Sequence, residues 1–249
     1  MGLEYVESPT PHHRSRSFMS VKEAQPSPVG ILYCAGRRGS LDQAFYTWVL
    51  HGTGVKVLPL GGHREVVRQV GKEQGRVAVP VTGVVDRDAL PEEILLRQSE
   101  TVEVLPYFEV ESYLVHPELL GPALRSRGRE VPESELVGLL LEAARATYMP
   151  AINAHLGHAP KARGKGRLEQ MAAQYADQLR TADAIIEGED AEGLLQYFPG
   201  RRLSQRVARK LDFLNAQHLL DTILRVPALQ DASRPVHRLR AALMHRLGR

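Results

Sequence analysis

Two aspartates that follow an apolar run are the strongest candidates for a chemical role in this sequence. The segment VVDRDALPEE (84–93) places Asp86 and Asp88 two residues apart, at the end of a predicted strand. In an extended strand these two carboxylates leave one face and Arg87 leaves the other. Two like charges on one face repel each other, and a hard cation such as Mg²⁺ or Mn²⁺ relieves that repulsion. The alternative interpretation is that Asp88 lies in a turn or caps the helix that ALPEE begins.

A second acidic pair lies in the segment PYFEVESYL (106–114). Glu109 and Glu111 are again two residues apart and flanked by apolar residues, as in a strand. Carboxylates inside a buried apolar segment are costly unless a metal ion or a basic group compensates them. The alternative interpretation is that both point to solvent from a half-exposed strand. A fifth acid, Asp42, follows Ser40 in a predicted helix, where it could reach the same space or serve only the helix dipole.

Basic segments that contain glycine are the candidates for contacts with phosphate groups. The candidate residues are Lys161, Arg163, Lys165, Arg167, Arg201 and Arg202. Backbone amides and cationic side chains together can hold phosphates. For the first four residues, the alternative interpretation is an ordinary solvated loop.

Strands and helices alternate from residue 29 to about residue 120, which predicts an α/β fold with a parallel sheet flanked by helices. Beyond about residue 121, the apolar residues recur only at helical spacing, and segments 133–156 and 203–224 are each predicted to be helical throughout. Residues 1–28 are rich in Pro, Ser, His and Arg and lack periodicity. We therefore predict a flexible or partner-docking arm (1–28), an α/β domain (29–120) and an all-helical domain (121–249).

The predicted strand ends place the candidate residues at one edge. In open parallel sheets, ligands bind beyond the carboxyl ends of the strands. Ala35, the pair Gly61-Gly62, Asp86 and Asp88 all follow predicted strands. This coincidence predicts a functional site at that edge of the sheet.

Composition limits the classes of protein to which the chain can belong. The 249 residues include a single cysteine, which excludes a disulfide framework and a cysteine-based zinc site. The N-terminus lacks an apolar signal core, and no apolar run approaches the length of a membrane span, so we expect a cytoplasmic protein that does not bind membranes. Residues 84–118 hold nine acidic and two basic residues, whereas residues 201–249 hold eleven basic and three acidic ones. An acidic centre beside a basic tail is typical of a cation site next to a polyanion-binding surface, although charged helix surfaces alone would also explain it.

Five segments, taken in order, resemble the Toprim-like DUF4435 family. They are Ala35-Gly36, Asp42 with Tyr46, Asp86-Arg87-Asp88, PYFEVESYL and FPGRR (198–202). In the family, Glu-Gly ends the first strand, and an Asp with a Tyr four residues later comes next. A later strand ends in Asp-x-Asp. The segment Pro-Tyr-x-Glu-x-Glu-Asn-Tyr-Leu then follows, and Pro-Gly-Lys comes last, in the helical region. The resemblance covers residues 30–120 well and the helical half only through FPGRR.

Three positions depart from the family pattern. Ser112 stands where the family has Asn, and Arg201 stands where it has Lys, which keeps the charge. Ala35 stands where the family has the catalytic Glu. Because the surrounding motif residues are intact, we interpret Ala35 as an engineered Glu-to-Ala change that silences an enzyme. The alternative is a naturally inactive subunit in which Ala35 is native.

The resemblance implies a Toprim-like fold and a metal-dependent nuclease that hydrolyses phosphodiester bonds with Mg²⁺ or Mn²⁺. It implies metal binding by Asp86 and Asp88, completed by Asp42, Glu109 and Glu111, and phosphate binding by the basic residues. It also implies an effector of a bacterial anti-phage system, similar to the effector nucleases of PARIS systems. Such effectors are held by an ABC-type ATPase partner, are released as homodimers and cut tRNA. The alternatives are a DNA nuclease and an inactive scaffold or sensor subunit that binds the ATPase.

Overall fold

Four short apolar segments form one parallel sheet in the computed structural model, which describes residues 28–158 and 167–248. The strands are β1 (Gly30–Cys34), β2 (Val55–Pro59), β3 (Val81–Val85) and β4 (Glu103–Val104). Their order in the sheet is β2-β1-β3-β4, and each neighbouring pair is parallel. The α/β class and the parallel sheet are therefore confirmed.

The central strands are buried on both faces, as the continuous apolar runs predict. Leu32 and Cys34 belong to the larger apolar cluster, whereas Tyr33 between them belongs to a smaller cluster on the opposite face. The smaller cluster includes Val66 and Val70 of the helix that follows β2. The sheet thus has one face covered by that helix and the other covered by most of the remaining chain.

Helices account for the rest of the regular structure. They are α1 (Leu41–Val49), α2 (His63–Glu73), α3 (Glu92–Ser99), α4 (Val110–Leu114), α5 (Pro117–Arg125), α6 (Glu133–Ala146), α7 (Tyr148–His158), α8 (Arg167–Glu187), α9 (Ala191–Tyr197), α10 (Gly200–Lys210), α11 (Ala216–Leu224), α12 (Leu229–Ala232) and α13 (Arg234–Arg246). The all-helical C-terminal region is confirmed.

One apolar cluster joins the sheet to the helical region. It contains Phe45 of α1, Tyr113 of α4, Leu140 of α6, Val207 of α10 and Leu239 of α13, all of them buried. The predicted boundary at residue 120 falls inside α5. The predicted arm, apart from residue 28, lies outside the described residues.

Two segments that we expected to be single helices are each divided. The first divides at Thr147, between α6 and α7, because Pro150 lacks the N–H that a continuous helix would use. The carbonyl oxygen of Ala146 accepts a bond from Arg206 instead, at 3.2 Å. The second divides after α10, where Asp212 has a left-handed φ of 59°, and Asn215 then caps α11.

The N-cap of α1 was predicted correctly and supports a first testable prediction. The Ser40 hydroxyl accepts a hydrogen bond from the Gln43 N–H at 3.3 Å. Exchanging Ser40 for Ala is expected to lower the free energy of unfolding by about 1 kcal/mol, because that N–H loses its partner. Urea denaturation measures the change. Thr47→Ala, at an exposed position in the same helix, is the control; an equal loss in both variants would contradict a capping role.

Candidate active site

The turn that follows β1 is held against the end of β2. The N–H of Gly36 donates to the carbonyl oxygen of Gly61 at 3.1 Å. Gly36 has a φ of 97°, and a Cβ at this position would lie 2.5 Å from the Ser40 hydroxyl. Only glycine suits both conditions. Ala35 therefore lies at the carboxyl end of the central strand, between the ends of β2 and β3.

Asp42 approaches this edge from the first turn of α1. Its carboxylate lies beside Gly36, since a Cβ on that glycine would be 3.1 Å from Asp42 Oδ2. Burial, followed by the charge of Glu111, raises the pKa of Asp42 to about 6. Asp42 therefore lies where it interacts favourably with the dipole of α1, and it is also close enough to Glu111 for their charges to interact.

Asp86 follows directly after β3 and lies at the centre of the acidic residues. Its Oδ1 accepts a hydrogen bond from the N–H of Val110 at 3.3 Å. Burial raises the pKa of Asp86 well above its usual range, and the charges of Asp42, Asp88, Glu109 and Glu111 add to the increase. The carboxylates that the sequence singled out are thus close enough to act on one another.

Asp88 does not have the strand geometry that we expected. β3 ends at Val85, and Asp88 has a left-handed φ of 48° because its N–H turns to donate to the Phe108 carbonyl oxygen at 2.7 Å. Asp88 lies in a turn, as one alternative predicted. It does not cap α3, because Pro91 is the residue that precedes that helix. Asp88 Oδ2 instead lies 3.6 Å from His63 Nδ1.

Glu109 and Glu111 lie in a helical turn, which corrects the expected strand. Glu109 precedes α4, and Glu111 is in its first turn. The chain leaves the sheet here because Phe108 pairs with Asp88 and with the carbonyl oxygen of Leu195 rather than with a neighbouring strand. The solvent-facing alternative is wrong for Glu111, which is 7% exposed.

Arg201 compensates this second acidic pair from the start of α10. Its backbone N–H donates to Glu109 Oε1 at 2.5 Å, and its Nε donates to Glu111 Oε1 at 3.2 Å. Burial, followed by the charge of Glu111, raises the pKa of Glu109 to about 7. The charge of Glu111 also raises the pKa of Arg201. Arg201 therefore acts on three carboxylates, those of Glu111, Glu109 and Asp42.

A close contact between two helices positions Arg201. Gly200 packs against the backbone of Ser112 so tightly that an added Cβ would lie 2.5 Å from the Ser112 nitrogen. The Ser112 hydroxyl is buried without a hydrogen-bond partner among the described residues. The departure from the family pattern at Ser112 therefore lies at the contact that brings α10 to α4.

The carboxylates suit a hard cation chemically but are not arranged around one. Carboxylate oxygens are the ligands that Mg²⁺ and Mn²⁺ prefer. Burial, followed by the charges of neighbouring carboxylates, raises the pKa of Asp42, Asp86 and Glu109. Within the described ranges, no three His, Cys, Asp or Glu side chains converge closely enough to hold a metal ion. The donor set fits a divalent cation, and binding one requires these side chains to move together.

Of the remaining residues predicted to contact phosphate, two are described by the structure and three are not. Arg202 is exposed beside Arg201 on α10. Lys161, Arg163 and Lys165 lie outside the described residues. Arg167 begins α8 and is exposed.

His63 is a residue at this edge that the sequence reasoning missed. It is the first residue of α2, and its Nε2 is buried without a hydrogen-bond partner among the described residues. The sequence offered one signal for His63: it follows Gly61-Gly62 directly, and this pair lies at a predicted strand end.

Comparisons of the chain with protein-family models, with curated proteins and with solved structures gave no match. None of the helices within residues 28–158 and 167–248 is long and apolar enough to cross a membrane.

Proposed function

We propose that this chain is the effector of a bacterial anti-phage system, with a metal-dependent nuclease site that Ala35 silences. The observation that carries the proposal is the group of five carboxylates at the carboxyl edge of a parallel sheet, adjoining the cationic start of α10. Phosphodiester hydrolysis needs both parts, since cations and bases act on the attacking water and cationic groups hold the phosphate.

Each residue has a definite part in the proposed reaction. Asp86 and Asp88, completed by Asp42, Glu109 and Glu111, would hold Mg²⁺ or Mn²⁺. The bound cation would lower the pKa of water and polarise the phosphate. A glutamate at position 35 would orient or deprotonate the attacking water, because position 35 follows β1, beside the end of β3 that carries Asp86. Arg201 and Arg202 would hold phosphate oxygens.

The partners belong to the same proposal. An ABC-type ATPase subunit would hold the chain inactive, and the released chain would act as a homodimer on tRNA. The resemblance of the five ordered motifs supports these assignments. DNA is the alternative substrate, because the cationic residues address a phosphate backbone that RNA and DNA share.

A second candidate function has its own supporting observation. Arg201 pairs with Glu111 inside the acidic group, and no three potential ligands converge there within the described ranges. An inactive scaffold or sensor subunit that binds the ATPase would keep this ion pair and have no need for a carboxylate at position 35.

Restoring the carboxylate tests the proposed function. We expect Ala35→Glu to cut tRNA, single-stranded DNA or duplex DNA in Mg²⁺ or Mn²⁺, while the chain with Ala35 cuts none of them. The Ala35→Gln variant is the control, because Gln has nearly the same size as Glu and cannot act as a base. Gel analysis of end-labelled substrates identifies the products.

Three outcomes are informative. Cleavage by the Glu variant alone supports the nuclease and identifies its substrate. A Glu variant that is folded by circular dichroism and cuts no substrate contradicts the nuclease and favours the scaffold. Equal cleavage by the Glu and Gln variants would show that position 35 does not supply the missing carboxylate.

A further inference from the structure

Helix α10 has one apolar face and one fully cationic face. Its buried residues are Gly200, Leu203, Ser204, Val207 and Ala208. Its exposed residues are Arg201, Arg202, Gln205, Arg206, Arg209 and Lys210. The exposed face thus carries five cations and no acid.

Three of these cations form a line along the helix. Arg202, Arg206 and Arg209 follow the spacing i, i+4 and i+7, which places them on one stripe of a helix surface. The stripe extends over about 10 Å, at 1.5 Å per residue. We call these three residues the arginine stripe.

The protein itself compensates the arginine stripe poorly. Arg206 donates to the carbonyl oxygen of Ala146, and neither Arg202 nor Arg209 has a carboxylate within ion-pair distance among residues 28–158 and 167–248. Lys210, at the edge of the face, is paired with Glu142 at 2.6 Å. Like charges at i, i+4 destabilise an isolated helix. The stripe is therefore available to an external anion.

The arginine stripe begins beside the acidic group and leads away from it. Arg201, the residue before the stripe, contacts Glu109 and Glu111. The stripe is long enough for its arginines to contact more than one phosphate of a single strand. A strand with its reacting phosphate at the acids could therefore continue along α10.

A pocket of about 260 Å³ lies at the far end of the stripe, between α6 and α10. Leu139, Ala143 and Ala146 supply apolar surface. The rim consists of Arg206, Arg209 and the ion pair of Lys210 with Glu142, so its net charge is positive. An apolar surface with a cationic rim suits an unstacked base whose phosphate lies outside the pocket. A base within a duplex is stacked and paired and could not enter it.

We propose that α10 is a docking track for a single-stranded stretch of nucleic acid, with phosphates on the arginine stripe and one base in the pocket between α6 and α10. This inference rests on the proposed function, because it extends the same site beyond the reacting phosphate. It adds Arg206 and Arg209 as residues that hold the substrate, and it assigns as the substrate a strand with further phosphates beyond the reacting one.

Binding by the chain with Ala35 tests the track independently of cleavage. Fluorescence anisotropy would follow a labelled single-stranded RNA of about 20 nucleotides and its duplex over a range of salt concentrations. The association constant K falls as salt rises, and each phosphate contact steepens this fall. The variant Arg206→Gln/Arg209→Gln loses two cations, so the slope of log K against log salt should become less steep by about 1.4 for the single strand. The same relation gives about a 25-fold loss of affinity at 0.1 M salt. Arg209→Gln alone is expected to lose about 5-fold.

The control is Arg68→Gln/Lys72→Gln, which removes the same charge from exposed positions of α2 across the sheet. Equal affinities for the control and the stripe variants would overturn the track. So would equal affinities of the parent chain for the single strand and the duplex, or no binding of either. The nuclease proposal is judged separately, by cleavage with Ala35→Glu, so the two proposals can fail independently.

Discussion

Exchanging Asp86 for Asn is expected to stabilise the metal-free protein at pH 8 and, in the Ala35→Glu background, to lower cleavage about 10³-fold. The gain in stability follows from the raised pKa of Asp86, which burial and four neighbouring carboxylates keep far above its usual range. The loss of cleavage follows from removing a ligand whose cation supplies several kcal/mol to the transition state. The amide oxygen of Asn can still accept from Val110, so the fold is retained.

The sign of the pH dependence is fixed by the direction of these shifts. A carboxyl group with a higher pKa in the folded state binds more protons when folded, so stability falls as pH rises from about 4. Stability continues to fall through the folded-state pKa values, which are about 6 for Asp42 and about 7 for Glu109. The Asp86→Asn variant should therefore gain little at pH 4 and most at pH 8.

Urea denaturation between pH 4 and pH 8, with and without Mn²⁺, measures both effects. Mn²⁺ should stabilise the parent chain at pH 8 and stabilise the Asn variant much less. Asp177→Asn, at an exposed position on α8, is the matched control and should leave the pH profile unchanged. A parent chain that is as stable at pH 8 as at pH 5 would contradict the electrostatic account of the site.

Gly200→Ala is expected to destabilise the protein by about 3 kcal/mol, at the upper end of the cost of overpacking. The added Cβ would lie 2.5 Å from the backbone nitrogen and 3.0 Å from the Cα of Ser112. Backbone atoms cannot move aside as a flexible side chain can, so α10 must shift away from α4. The shift would also carry the Arg201 N–H away from Glu109.

Gly138→Ala provides the matched control in a helix of the same protein. Gly138 is an exposed residue of α6, and nothing lies within 4 Å of an added Cβ. Alanine is the better helix former, so this variant should be about 0.5–1 kcal/mol more stable. Thermal unfolding of both variants measures the contrast. A Gly200→Ala variant that gained stability like the control would show that the α4–α10 contact does not position Arg201.

The sheet and its functional edge could be predicted because local pattern and topology agree. β1, β2 and β3 are apolar runs that end in Gly, Pro or Asp, and helical patterns lie between them. Once the strands are parallel, their carboxyl ends must meet at one edge. That rule predicts that Ala35, Asp86 and Asp88 lie at the same edge of the sheet.

The conformation of Glu109 and Glu111 could not be predicted in the same way. Alternating apolar and acidic residues fit a strand, and α4 is too short to show a helical period. The conformation depends on Arg201, which lies 90 residues beyond Glu111 in the chain. The turn at Asp88 likewise depends on a hydrogen bond to Phe108. Contacts between distant segments decided both cases, and neither leaves a local pattern.

The breaks within the predicted helices illustrate a different limit. Apolar residues keep their helical spacing through Thr147 and through Asp212, so periodicity alone predicts continuous helices. Pro150 was the visible signal for the first break. The second depends on the left-handed conformation of Asp212, which is uncommon for a residue other than glycine.

Because the sheet and the helical region share one apolar cluster, the acidic edge of the sheet depends on the helical region for its structure. A chain cut at residue 120 would end within α5 and expose Phe45 and Tyr113, which are buried partly by helices beyond the cut. Exposed core aromatics promote aggregation rather than independent folding. The acids at the sheet edge and the arginines of α10 therefore belong to one cooperative folding unit. A fusion that preserves the site should join the chain at its ends and not at residue 120.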